Sequence, residues 1–167
     1  MIDKFKAEIN TRKGLSKPNK FAISIPGDAV TSQALTLLCT SCSIPGKTID
    51  AVDYSPWNVK TKYPTGYSQE NVQAVFHLTN DYFVKNYFDD WANSIINPNT
   101  YTLNYNDTYV KDISIYQLND QDKRIFGYTL IDAYPINIAA ITMDSDSTDS
   151  TQKLTIDFAY RIYKKVL

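Results

Sequence analysis

Cys39 and Cys42, spaced C-x-x-C in the stretch LCTSCSIPG at residues 38–46, are the first residues here whose types and spacing could do chemistry. A redox dithiol needs a thiolate, and a helix N-terminus is the usual means of lowering the thiol pKa. The stretch reads instead as the end of a strand, and Pro45 and Gly46 follow it, so no helix begins there. Residues three apart on a regular strand also face opposite sides, which pulls the sulfurs apart. Zinc would need two further ligands, and the chain offers one histidine and no other cysteine. Both cysteines are therefore read as structural, one of them buried.

The remaining candidates are thinner. His77, the lone histidine, stands mid-strand with no G-x-S-x-G elbow or glycine-rich loop to complete a nucleophilic site, and is read as a surface or interface residue. The run DSDSTDS (144–150) begins like a calcium loop. It has Asp149 where the central glycine belongs and Thr155 where the bidentate glutamate belongs, so it reads as an acidic surface loop. Asp89 and Asp90 are adjacent on an apparent helix, where their side chains diverge. No P-loop, dinucleotide fingerprint or basic–aromatic RNA-binding string is present. The expectation is a protein that is not an enzyme, with no catalytic residue, no cofactor and no metal.

The elements that carry these residues come from a chain of 167 residues, suited to one domain with a core of ordinary size. Seventeen basic residues against eighteen acidic ones give a net charge of −1, so no global field draws the chain to nucleic acid or anionic lipid. No apolar run approaches the ~20 residues that span a bilayer. The N-terminal MIDKFKAEINTRKG lacks the apolar core of a signal peptide, so the expectation is a soluble chain made in a cytoplasm, without a membrane anchor. Tyrosine is over-represented, at 13 residues against 7 phenylalanines, which suits half-buried strands and interfaces.

Periodicity predicts mostly strands. Residues 1–18 read as an N-terminal helix or arm. Phe21, Ile23 and Ile25 alternate with Ala22 and Ser24, a second strand is expected over Ala34–Thr40, and VQAVFHLT (72–79) places Val72, Ala74, Phe76 and Leu78 on one face. Phe83, Tyr87, Trp91 and Ile95, with Val84 and Phe88 beside them, make one apolar helical stripe, with Asp81 as N-cap and Asn97-Pro98 as the stop. After it come strands over Tyr109–Tyr116 and Arg124–Ile131, a break at Tyr134-Pro135, and a last strand along KLTIDFAYRIYKK. The fold expected is mainly β: an antiparallel β-sandwich or barrel with one α-helix packed on its side.

Residues 47–69 differ. Ile49, Val52, Tyr54, Trp57, Val59, Tyr63 and Tyr67 are spread among polar residues and the prolines at 56 and 64. They form an extended hairpin arm that cannot bury its apolar side on itself, and a lone hairpin is marginal in water. A partner subunit or the parent domain must cover it. Those seven residues are the candidate subunit-interface residues.

Several stretches, in order, resemble the tail tube protein of contractile-tailed, T4-like phages: Lys17-Pro18-Asn19-Lys20-Phe21 leading into a strand; Leu38–Gly46; Phe88-Asp89-Asp90-Trp91 on the helix; and Gly127–Pro135 followed by the Asp-rich loop and the strand around Phe158-Ala159-Tyr160. The resemblance runs from about residue 17 to 163, and departs in the second cysteine, the Tyr- and Pro-rich arm and the loop at 100–107. It implies one tail tube domain over 1–167, with a fold shared with the type VI secretion tube protein. It also implies hexameric rings stacked into a hollow tube that conducts DNA and ejected proteins. The implied partners are further copies of the chain, a sheath protein outside, a baseplate initiator and a terminator at the ends, and passing DNA held without specific binding. The implied setting is the virion tail, assembled in the bacterial cytoplasm. Under that reading the arm reaches a neighbouring ring, and Asp120, Asp122 and Asp157 are candidate lumen residues. Alternatives are a tube initiator of the same fold, a type VI-like tube protein and, from another class, a small-ligand-binding β-barrel.

Overall fold

The computed structural model describes residues 1–148 and 150–167. Seven strands form one continuous antiparallel sheet folded on itself, in the order β1 (Phe21–Ser24), β6 (Lys111–Leu118), β7 (Arg124–Ile138), β8 (Lys153–Ala159), β5 (Val72–His77), β2 (Cys39–Cys42), with β9 (Ile162–Lys165) on β7. The fold line runs through β7. Its first half pairs with β6 and β9, and its second half, Tyr134–Ile138, pairs with β8. The bend falls at Asp132, whose backbone is left-handed at φ 54 and whose carboxylate meets Arg161 Nε at 2.5 Å.

Two halves of a sheet facing each other make a sandwich, and the expected class holds. Ile23, Ile113, Ile115 and Leu130 fill it from one half; Val72, Ala74, Phe76, Leu154, Ile156 and Phe158 fill it from the other. The sandwich does not close into a barrel, because β1 and β2, the two ends of the strand order, do not pair.

Helix α3 (Phe83–Ile95) is the one expected. It drives Val84, Phe88 and Trp91 into the core, with Phe88 5.3 Å from Phe76 and 5.9 Å from Phe158, ring centre to ring centre. The helix begins at Phe83, so Asp81 lies one residue outside the cap position, from where its carboxylate still accepts the Phe83 N–H. The short α4 (Asn106–Tyr109) follows, and the Tyr109 carbonyl accepts the Trp91 indole N–H at 2.7 Å.

Three expectations are corrected. Most of Ala34–Thr40 is not strand but the end of a second helix, α2 (Ala29–Leu38). It runs from the β1 edge to the β2 edge and fills the unpaired side of the sandwich with Leu35, fully buried. Thr36 ties it down by donating its hydroxyl to the Ile23 carbonyl at 2.6 Å. Tyr134-Pro135 does not end a strand: β7 passes through, and Pro135 sits beside a register shift, where a missing N–H is tolerated. The last strand is two, β8 and β9, because the chain turns at Tyr160–Arg161 to pass from one half of the sheet to the other.

Candidate assembly surface

The arm is a hairpin standing off this sandwich. β3 (Lys47–Tyr54) pairs with β4 (Thr61–Gln69) alone, in a two-stranded sheet of its own. Residue 65 is an extra residue on β4, so Asp50 faces Gly66 while Ala51 faces Pro64, and Gly66 and Pro64 stand where neither must pair within a wider sheet. Cross-strand partners share a face. Ile49 and Tyr67 lie on one face near the root, and Val52, Tyr54 and Tyr63 lie on the other toward the tip, Tyr54 meeting Tyr63 edge to face at 5.9 Å. Lys47 anchors the root, its ammonium 4.4 Å from the Tyr67 ring and 5.4 Å from that of Tyr163.

Apart from half-buried Gln69, the strand residues are exposed on both faces. All seven apolar residues expected at an interface are exposed by half or more. At the tip, a short turn of 3-10 helix (Pro56–Asn58) holds Trp57 and Asn58 in left-handed backbone, at φ 58 and 63, and leaves Trp57 96% exposed. Left-handed backbone is unfavourable for a residue with a Cβ, and a bulky aromatic there is uncommon. By side-chain size, the seven residues present on the order of 800 Å² to solvent, which is one partner's share of a standard protein interface.

A second exposed element is α1 (Ile2–Thr11), on which Ile2 and Phe5 are exposed and no residue is buried. The segment after it is held to the β6–β7 turn by Lys17–Asp120 at 2.8 Å and Lys20–Asp122 at 2.7 Å. The Lys17 hydrogen bond and charge hold the Asp120 carboxyl below the usual range, and the Asp122 hydrogen bond and charge raise Lys20. Asp157 lies elsewhere, on β8, accepting from Gln73 Nε2 at 3.1 Å and Asn137 Nδ2 at 2.9 Å. The three acidic residues are thus not gathered in one cluster.

The candidates for chemistry stay apart as well. Strand alternation would have separated Cys39 and Cys42, but β2 carries a bulge. Cys39 pairs with Phe76, Ser41 with Val75 and Cys42 with Ala74, leaving Thr40 as the extra residue. Phe76 and Ala74 both face the core, so the bulge turns both cysteines inward, and both pack against it. Burial pushes each thiol up to about 12, which leaves almost no thiolate at neutral pH. His77 closes β5 opposite Lys153, half-buried on the face away from the core. Of the acidic loop, Asp149 lies outside the described residues. Among the described residues, no cluster of His, Cys, Asp or Glu could hold a metal, and no helix is long and apolar enough to cross a membrane.

Sequence reasoning missed one feature: the groove between the unpaired edges β1 and β2, about 600 Å³, walled by Phe21, Cys42, Ile44 and Tyr116. Thr40 lines it too, and its hydroxyl is buried with no hydrogen-bond partner among the described residues.

Comparison with known proteins bears on the whole chain. A family model described as phage tail tube protein matches residues 3–166. No curated protein matches the sequence. Among solved structures, the anti-feeding prophage tube terminating cap superposes with a TM-score of 0.68 at 17% identity, over 91% of each chain. A chain of the sheath–tube complex of an extracellular contractile injection system in its extended state gives 0.64 at 22%, over 91% of this chain and 93% of that one. One from the sheath/tube terminator of the same system gives 0.67 at 17%, over 89% and 94%. At these identities the likeness is one of fold.

Proposed function

This chain belongs to the phage tail tube protein family, whose members are structural subunits and not enzymes, and from that premise we propose that six copies close into a ring and that rings stack head to tail into a hollow conduit. One domain spans residues 1–167. The N-terminal arm (1–18) and the hairpin arm (47–69) reach from it to neighbouring copies, with Ile49, Val52, Tyr54, Trp57, Val59, Tyr63 and Tyr67 as contacts. DNA and ejected proteins pass through the lumen, and a contractile sheath surrounds the tube. An initiator on a baseplate and a terminator bound its ends. The particle is a virion tail assembled in the host cytoplasm.

The observation that carries this reading is the hairpin, whose apolar residues are exposed on both faces while the sandwich beside it buries a continuous core of its own. Contacts between two different surfaces do not satisfy themselves in a pair, so each added copy exposes a fresh surface and the polymer stays open. The β9 and β2 edges, each paired on one side only, offer further backbone donors and acceptors to a neighbour. A conduit must not grip its cargo, and every phosphate neutralised by lysine or arginine strengthens DNA binding. Asp120, Asp122 and Asp157 are proposed as lumen residues on that ground. Asp157 has no lysine or arginine within ion-pair distance among the described residues, so its charge stays available to repel phosphate.

Negative-stain microscopy of the purified full chain tests the reading. Rings of six subunits and stacked tubes are expected. A field of single subunits at high concentration, with or without an initiating template, contradicts it.

A further inference from the structure

We infer that Trp57, at the hairpin tip of one copy, seats in the groove between β1 and β2 of a second copy. The inference rests on the tube reading above and names the surface that receives the arm.

Each side lacks what the other supplies. The tip holds a large apolar ring 96% exposed on left-handed backbone, an arrangement from which the isolated subunit gains nothing. Its indole N–H is a donor that needs an acceptor once buried. The groove is concave and largely apolar, and its roughly 600 Å³ falls in the range of ordinary side-chain and ligand pockets. Thr40 stands in its wall, and its hydroxyl oxygen, shut off from solvent in the free chain, has no hydrogen-bond partner among the described residues. That is a rare state for a polar atom, and one that a donor reaches once the wall shifts on docking. Thr40 owes that position to the β2 bulge.

The occupant must come from another copy. Ile44, in the groove wall, lies three residues before β3, so groove and hairpin root are neighbours. The eight residues of β3, at about 3.3 Å each, carry the tip roughly 25 Å away from that root. A paired hairpin does not fold back over so short a span. Tip and groove are different surfaces, so the contact propagates from copy to copy. The area the arm can cover, on the order of 800 Å² per partner, is that of a stable interface.

Fluorescence of the full chain tests this. Trp57 and Trp91 are the only tryptophans, and Trp91 is 3% exposed, so acrylamide quenching reads Trp57. Quenching is expected to be strong in the dilute chain and to fall several-fold on assembly. Ile44→Asp, at a half-exposed position, is expected to raise the concentration needed for assembly at least about tenfold, or ~1.4 kcal/mol. Added to Trp57→Ala, it is expected to have less than about a twofold further effect, because both remove one contact. Thr40→Val removes an unpartnered hydroxyl, and is expected to melt no lower than wild type yet assemble less well. Particles whose Trp57 stays as quenchable as in the free chain, or Ile44 and Trp57 effects that multiply independently, overturn the docking and leave the tube reading standing. A Thr40→Val chain that assembles like wild type overturns the indole–hydroxyl contact. Failure of the wild type to assemble at any concentration, with or without an initiating template, overturns both readings.

Discussion

The hairpin β3–β4 and the strand β5 that follows it are both built from alternating or near-alternating apolar residues, and they end in opposite environments. On β5, Val72, Ala74 and Phe76 are fully buried; on the hairpin, Ile49, Val52, Tyr54 and Tyr63 stand half or more in solvent. Alternation specifies an extended backbone with two distinct faces. It does not say what covers a face. In the sandwich the cover is the other half of the same sheet, and on the arm it is absent from the chain.

The contrast breaks most visibly in the core. Phe88→Ala removes a ring packed on Phe76, Phe158 and Trp91, and is expected to lower unfolding free energy by about 3–5 kcal/mol in a denaturant titration. A smaller loss is expected for Gly127→Ala. A Cβ there would stand 2.6 Å from Tyr116 Cδ1 and 3.1 Å from the Ile115 carbonyl, so the sheet must shift, at about 1–3 kcal/mol. On the arm the sign reverses. Trp57→Gly relieves left-handed backbone and is expected to leave the unassembled subunit as stable as wild type, or up to about 1 kcal/mol more so, while weakening assembly.

Titration sharpens the same comparison. Desolvation pushes the two half-buried thiols up from 9.0 to about 12 in the folded chain, so the folded state holds more protons between those values. Their contribution to stability is complete below about pH 8 and falls as pH rises toward 12, which melting curves at stepped alkaline pH will show. Modification by a thiol reagent at pH 7.5 should be slow until denaturant is added. The smallest effect belongs to the Lys17–Asp120 and Lys20–Asp122 pairs. Asp120 is depressed and Lys20 raised, so the tether is intact from about pH 4 to pH 10 and loosens outside it. The pairs are largely exposed, so limited proteolysis within residues 13–20 will register the change and global melting will not.

Much of the sandwich was legible in the sequence, because β5, β8 and α3 each bury one face at a single clean period. The helix α2 was not. The leucines and threonines of Ala34–Thr40 suggest strand, and only Leu35 is fully buried while Val30 and Leu37 face solvent. Tertiary position decides such a segment: it must bridge two strand ends that do not pair. The β2 bulge was hidden for a related reason, since an inserted residue shows only against its partner strand, and it reversed the expected facing of one cysteine. The arm was legible as apolar sequence without a cover. The groove was not, because Phe21, Thr40 and Tyr116 meet only through the order of strands in the sheet.

The central claim is that the core of the sandwich is complete by itself and the arm is covered only by further copies. Replacing residues 50–66 with Asn-Gly, a two-residue turn suited to joining paired strands, separates the two. Sedimentation and melting of that variant beside the wild type should give a single folded subunit, unchanged in melting temperature, that forms no tube at concentrations where the wild type does. Tubes of normal length from the shortened chain, or a subunit that no longer folds, would contradict the account.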